Sequence, residues 1–294
     1  MKWRSGRRSQ NVEDRRTASS GLRVPGTQRR VGRKTGFGGL GLLALLAVLL
    51  FGVDPIGYFR SAPQVQQQAP APWTQQSGGS DEMSEFISVV LADTEDVWHT
   101  LFQQLGGQYR EPTLVLFSGQ VASACGFAQA ATGPFYCPGD GKVYLDMSFF
   151  DELKYRFKAP GDFAQAYVLA HEVGHHVQNL LGILPKVDKL RARYGQSRES
   201  NALSVRLELQ ADCFAGVWAH HAQSQRHILE QGDIQEGLNA ANAIGDDRIQ
   251  GQAQGYVVPD SFTHGSSDQR VHWFTRGLKS GQLEMCDTFS AEQL

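Results

Sequence analysis

Between Asp162 and Leu181 the chain reads DFAQAYVLAHEVGHHVQNLL, and no other stretch limits the fold as strongly. From Phe163 to Leu181 it holds no Lys, Arg or Asp, and Glu172 is its one carboxylate. Phe163, Ala166, Tyr167, Ala170, Val173, Gly174, Val177 and Leu181 recur at helical spacing, which predicts a helix of about five turns with one apolar stripe. Asp162, with Gln165 three residues on and Pro160-Gly161 just before, predicts a capping box at the start. Gly182 predicts the stop. So apolar a helix belongs at the centre of a domain, where a carboxylate and paired histidines are costly to bury without a purpose.

The spacing supplies the purpose. His171 and His175 are four residues apart, so they project from one helical face and can reach one metal ion. Glu172 falls about 100° round from His171, beside the metal without being needed as a ligand. This is the HExxH pattern of zinc hydrolases, in which the metal lowers the pKa of its water to about 7 and the glutamate takes the proton. Two histidines do not complete a zinc site. The Gly and third His of a metzincin would fall at positions occupied by Gln178 and Leu181, which excludes that solution. Arg198 to His221 has helical periodicity through Leu203, Leu207, Ala211, Phe214 and Trp218, and it carries Glu208 and Asp212 four apart. Glu208 can complete a His₂Glu site for one zinc per chain, with Asp212 accepting the far N–H of a ligand histidine. Glu199 is the rival ligand, but it lies at the polar start of that helix with no matching Asp. His176 is out of register and reads as a supporting or solvent-facing residue.

The formal charge of −2 hides an asymmetry. Residues 1–35 carry 11 Lys/Arg against Glu13 and Asp14, a net +9, so the remainder is −11. A body that acidic is a poor nucleic-acid binder, so no nucleic-acid partner is expected. Phe37 to Val53 is an uncharged run of 17 residues, at the short end of what crosses a bilayer. With basic residues before it and Asp54 after it, the positive-inside rule predicts a single-pass anchor. That topology has a cytoplasmic N-terminus and a periplasmic or extracellular body. A cleaved signal peptide would need a shorter basic region and a small-x-small site. Gly36-Phe37-Gly38-Gly39-Leu40-Gly41 matches a dinucleotide-binding pattern, but it follows no strand and opens the apolar run. The expected organisation is a basic tail over 1–36, an anchor over 37–53, a Gln/Pro/Ser-rich tether over 54–80 and a globular body over 81–294.

All four cysteines fall in the body. Cys125 and Cys137 bracket a Gly/Pro-containing loop, which favours that pair and leaves Cys213 with Cys286. Three connectivities are open to four cysteines, and so is a set of reduced buried thiols. Lys142 to Asp146 alternates as a strand. It reads either as the edge to which a peptide backbone adds beside the metal or as an ordinary core strand.

HEVGHH at 171–176 followed by ELQAD at 208–212 is similar to the gluzincin arrangement. The chain more closely resembles the bacterial neutral zinc metallopeptidase family, the YpfJ-like group. The likeness rests on Asn11-Val12-Glu13-Asp14-Arg15-Arg16, the single apolar run, Tyr136-Cys137-Pro138 leading into Val143-Tyr144-Leu145-Asp146, and Thr263-His264-Gly265-Ser266 with Gln269-Arg270. It implies a protein anchored in the bacterial inner membrane, with a zinc-protease-like domain outside the cytoplasm. His264 and Arg270 are also similar to the His-x₅-Arg segment of membrane-bound zinc endopeptidases that resemble prenyl-protein processing enzymes. That likeness implies a donor to the developing oxyanion in His264 and a brace for the site carboxylates in Arg270. Gly265 departs from it, because that pattern has Pro after the His.

The expectation is therefore an α+β, mostly helical, zincin-like domain of gluzincin type, with a small sheet and one preceding transmembrane helix. It would hydrolyse peptide bonds of a peptide or protein substrate, cell-envelope proteins included. His171, His175 and Glu208 would hold zinc, with Glu172 as general base. Two other classes stay open: a regulatory or binding module with a structural zinc, which has no use for Glu172, and a zinc hydrolase acting on a non-peptide amide.

Overall fold

The computed structural model describes residues 1–16 and 77–294, which together form one unit. The apolar run over 37–53, the glycine pattern at 36–41 and most of the tether lie outside the described residues. Among those described, no helix is long and apolar enough to cross a membrane.

The first strand, β1 (Val12–Asp14), comes from the segment that reads as a basic tail. It pairs in parallel with β2 (Thr113–Phe117), so residues 1–16 belong to the body rather than to a separate tail. Helix α1 (Ser77–Gln104) precedes β2 and starts a few residues inside the expected tether. A hairpin of β3 (Gln120–Ser123) and β4 (Gly126–Gln129) follows, then β5 (Phe135–Cys137) and β6 (Lys142–Asp146). The sheet order is β1-β2-β6-β5, with β5 antiparallel to β6 and the others parallel. β6 is therefore paired on both sides, and β1 and β5 are the two edge strands of this sheet among the described residues.

Strand β2 reads as a continuous apolar run, TLVLF, because it is covered on both faces. Leu114 and Leu116 join Val143 and Leu145 in the main core, while Val115 and Phe117 join Tyr144 and Val121 beneath the hairpin. The Cys125–Cys137 disulfide ties that hairpin to β5, and a second disulfide joins Cys213 to Cys286.

The helical layer consists of α2 (Asp162–Leu180), α3 (Ile183–Tyr194), α4 (Arg198–Arg226), α5 (Asp233–Ala243), α6 (Asp246–Gln254) and α7 (Ser267–Ser280). The expected central helix is α2, and Gly182 follows it with φ 73° in the left-handed region. Its start differs from the expected capping box. Asp162 lies inside the helix and its carboxylate binds the Met1 ammonium, at 2.7 and 2.6 Å. The cap is supplied from α5 instead, where the Glu236 carboxylate accepts from the Phe163 N–H at 3.1 Å. Gly161, at φ 131°, is what lets Glu236 in, because a Cβ there would overlap that carboxylate.

Helices α2, α4 and α7 cross closely through small residues. A Cβ on Gly174 of α2 would stand 3.0 Å from the Ala211 carbonyl oxygen of α4. On the other side of α4, Gly216 faces the Phe274 carbonyl and Gly277 of α7 faces the Cys213 carbonyl, with no room for a side chain at either. Replacing Gly277 by Ala should therefore force α7 off α4 and cost about 3 kcal/mol, at the upper end of ordinary overpacking. A urea midpoint unchanged from the parent would show that the crossing is looser than this.

Candidate metal centre

The α2–α4 crossing brings His171 and His175 opposite Glu208. Glu208 Oε2 lies 3.1 Å from His171 Nε2, and Oε1 lies 3.4 Å from His175 Nε2. One ligand atom from each residue falls within 4.8 Å of the others, as donors converging on a single ion do. All three are buried or nearly so. Two imidazole nitrogens and a carboxylate form the donor set of a catalytic zinc site that keeps a position open. Glu199, the rival, is exposed at the start of α4, away from this cluster.

Each histidine presents Nε2 because its Nδ1 is engaged. His171 Nδ1 lies 2.8 Å from Asp212 Oδ1, the partner expected from the four-residue spacing. His175 Nδ1 lies 2.8 Å from Gln178 Oε1, which sequence reasoning did not foresee. The Gln178 amide is oriented by donating to the Leu207 carbonyl (2.7 Å) and to Gln210 Oε1 (3.1 Å). Gln210 in turn donates to the carbonyl of Cys286, a disulfide residue. A glutamine three residues after a histidine carries no signal in sequence. Its role depends on what α4 places opposite.

Asp212 is fully buried and would be a costly charge on its own. Arg270 of α7, 3% exposed, meets it through Nε and Nη2, both at 2.9 Å, and Tyr167 adds its hydroxyl. Burial pulls the Asp212 carboxyl upward, but Arg270 and His171 outweigh that and bring it down to about 2. Burial likewise disfavours a charged His171, yet Asp212 and Glu208 raise it to about 10. His175 also moves up, with Glu208 outweighing its burial, and the two histidines hold Glu208 well below the usual carboxylate range. The carboxylates of Glu208 and Asp212 thus favour positive charge at the point where the two imidazoles converge.

Glu172 is buried at 8% exposure, lines the cleft, and makes no side-chain hydrogen bond among the described residues. His176 is no ligand. It braces α2 against the sheet side, with Nδ1 against the Tyr136 hydroxyl (3.1 Å) and Nε2 against the Arg110 carbonyl (2.6 Å).

The centre opens into a cleft of about 510 Å³. Phe149 and Phe157 line one part of it and Phe135 and Tyr136 of the open-edged strand β5 another, so the strand beside the metal is β5 and not Lys142–Asp146. His264 also lines the cleft and is held by Asp246 at the start of α6. Asp246 Oδ2 accepts from the backbone N–H groups of Thr263, His264 and Gly265, and Oδ1 lies 3.1 Å from His264 Nδ1. That hydrogen bond raises the His264 pKa and leaves Nε2 as its unengaged nitrogen. Gly265 has φ 92°, which proline cannot adopt, so this loop takes a different course from the His-Pro pattern. Neighbouring Asp247 accepts from the Ser267 N–H and hydroxyl, which fixes the start of α7 and hence Arg270. Asp246 and Asp247 read in sequence as ordinary acidic residues at a helix start, and their loop partners lie 17 to 20 residues on.

A His₂Glu centre with an adjacent free carboxylate defines a zinc-hydrolase type of site. The chain belongs to the family described as "Putative neutral zinc metallopeptidase", whose model matches residues 1–289. It is 52% identical over 290 residues to "Uncharacterized protein YpfJ" of Escherichia coli K12, covering 98% of this chain and 99% of that one. It is 42% identical over 259 residues to "Uncharacterized protein Rv2575" of Mycobacterium tuberculosis H37Rv and to "Uncharacterized protein Mb2605" of Mycobacterium bovis, covering 84% of this chain and 86% of each. No solved structure matches.

Because Asp212 and Glu208 raise His171 to about 10 and Glu208 raises His175 as well, adding zinc at pH 7 should release protons, that of His171 first, and affinity should rise with pH. Calorimetry in buffers of different ionisation enthalpy measures this, and a heat independent of buffer would contradict the assignment. Gln178→Leu should weaken zinc about 10- to 100-fold while leaving the thermal midpoint of the metal-free chain within a few degrees.

Proposed function

We propose that this protein is a zinc-dependent peptidase. The observation that carries the reading is the buried, unpartnered Glu172 carboxylate beside three converging donors at the base of an open cleft. His171, His175 and Glu208 would hold the ion, which when bound polarises a carbonyl and acidifies a water molecule. Glu172 accepts the proton from the attacking water and delivers it to the leaving amine. Asp212 fixes the His171 ring, Gln178 fixes His175, and Arg270 keeps Asp212 ionised. His264 stands across the cleft as a donor to charge developing on the scissile carbonyl oxygen. An extended substrate would add to the open edge of β5, with Phe135, Phe149 and Phe157 offering apolar surface to its side chains.

The two disulfides favour a body in an oxidising compartment, outside the cytoplasm. Peptides or proteins of the cell envelope are then the substrates within reach.

The test is zinc content and peptide-library cleavage by the purified full-length chain beside Glu172→Gln. One zinc in both, with cleavage falling 10²- to 10⁴-fold in the variant, is the expected outcome. Zinc in both with no cleavage by the parent would favour a regulatory metal module, and absence of zinc would overturn the reading.

A further inference from the structure

Glu95 of α1 is fully buried, and the partners of its carboxylate all come from the first eleven residues. Arg7 Nη2 donates at 2.8 Å, the Ser9 hydroxyl at 2.5 Å and the Asn11 amide at 2.9 Å. A carboxylate in that position without donors is costly, so the body is shaped around an occupant with this donor set. The rest of the segment matches. Trp3, 9% exposed, packs edge-on against Phe86 with ring centroids 5.4 Å apart, and Arg4 and Arg8 pair with Glu82 and Glu85. The Asn11 carbonyl accepts from Leu114 N–H, Arg15 N–H donates to the Leu116 carbonyl, and Glu13 takes Lys142 Nζ of β6 at 2.6 Å.

β1, α1 and β2 thus form a β-α-β unit, two adjacent parallel strands joined through a helix. Residues 17–76 are an insertion between the first strand and the helix of that unit. A stretch of chain that starts and ends on one folded unit crosses a bilayer an even number of times. Two crossings need about 40 apolar residues, whereas the notable uncharged apolar run of the insertion is the 17 residues over 37–53.

We propose that residues 1–16 and the body lie on the same side of the membrane, so that the chain makes no net crossing between them. The topology expected from charge, with the N-terminus inside and the body outside, would unpair β1 and strip Glu95 of its donors. The positive-inside rule orients segments that span, and it makes no demand on a run that does not. The proposal stands independently of peptidase activity.

The experiment uses the full-length chain in bacterial membranes, with cysteine placed at Gln10 or at Lys279, both exposed. Each variant is treated with a membrane-impermeant maleimide in intact and in permeabilised cells, and the parent is labelled in parallel to subtract the four native cysteines. The two positions should behave alike. Labelling of both in intact cells supports the proposal with the body outside. Labelling of both only after permeabilisation also supports it, while overturning the extracytoplasmic placement offered above. Labelling of one position in intact cells with the other protected overturns it. The docking has its own check, because Arg4 and Glu82 are joined at 2.6 Å. The two side chains meet tip to tip, so the double variant R4C/E82C should be joined within one chain by a short flexible bis-maleimide in the membrane fraction, and failure to do so would also overturn the proposal.

Discussion

The site depends on one buried ion pair, Arg270 with Asp212, at the point where α2, α4 and α7 meet. Breaking such a pair by removing one partner costs about 3 to 5 kcal/mol, because the remaining charge is left in a dry interior. That asymmetry ties three helices together. Asp212 can be ionised only with α7 in place, and it must be ionised to hold His171 with Nε2 toward Glu208. The glycine crossings at Gly174, Gly216 and Gly277 bring the helix axes close enough for the pair to form. Asp246 and Asp247 fix the loop from which α7 starts. A structural zinc site needs four protein donors and no such open face. Here the third donor is followed by a cleft, which is why the geometry suits chemistry better than support.

The most legible parts of the sequence were those whose partners sit on the same helix. The four-residue spacings of His171 with His175 and of Glu208 with Asp212 specify faces, and a helix of that length and apolarity has to lie in the core. The long-range partners were legible only as types. Arg270 could be expected near a carboxylate, but the identity of that carboxylate depends on how α7 lies across α4. Gln178 and Asp246 were not legible, since a glutamine three residues past the HExxH motif on the same helix and an aspartate at a helix start both have ordinary local explanations. The capping box at Asp162 failed for the converse reason. Local chemistry favoured it, but a tertiary partner, Glu236, reached the helix end first.

Two strands were hard to place from sequence for related reasons. Lys142 to Asp146 stood open between an edge strand beside the metal and an ordinary core strand, and its pairing on both sides settles the second. Alternation alone does not report which strand is outermost. The three residues of β5 are too short to give a periodic signal, but they form the sheet edge that lines the cleft, and the Cys125–Cys137 disulfide anchors their end to the hairpin. β1 was hidden by charge. Val12 is its one apolar residue, and the strand is held mainly by backbone pairing, by Glu13 on Lys142 and by arginines on α1.

Those arginines change how the whole chain's charge should be read. A net +9 over residues 1–35 suggests a tail waiting for an anionic surface, such as a lipid headgroup layer. Arg4, Arg7 and Arg8 already have carboxylate partners in Glu82, Glu95, Asp96 and Glu85, so three of those charges are met within the fold. The acidity of the body and the basicity of its first residues are therefore two halves of one interface. Charge asymmetry along a sequence predicts membrane orientation only when the two halves do not meet. Here the strand register of β1 on β2 requires that they do.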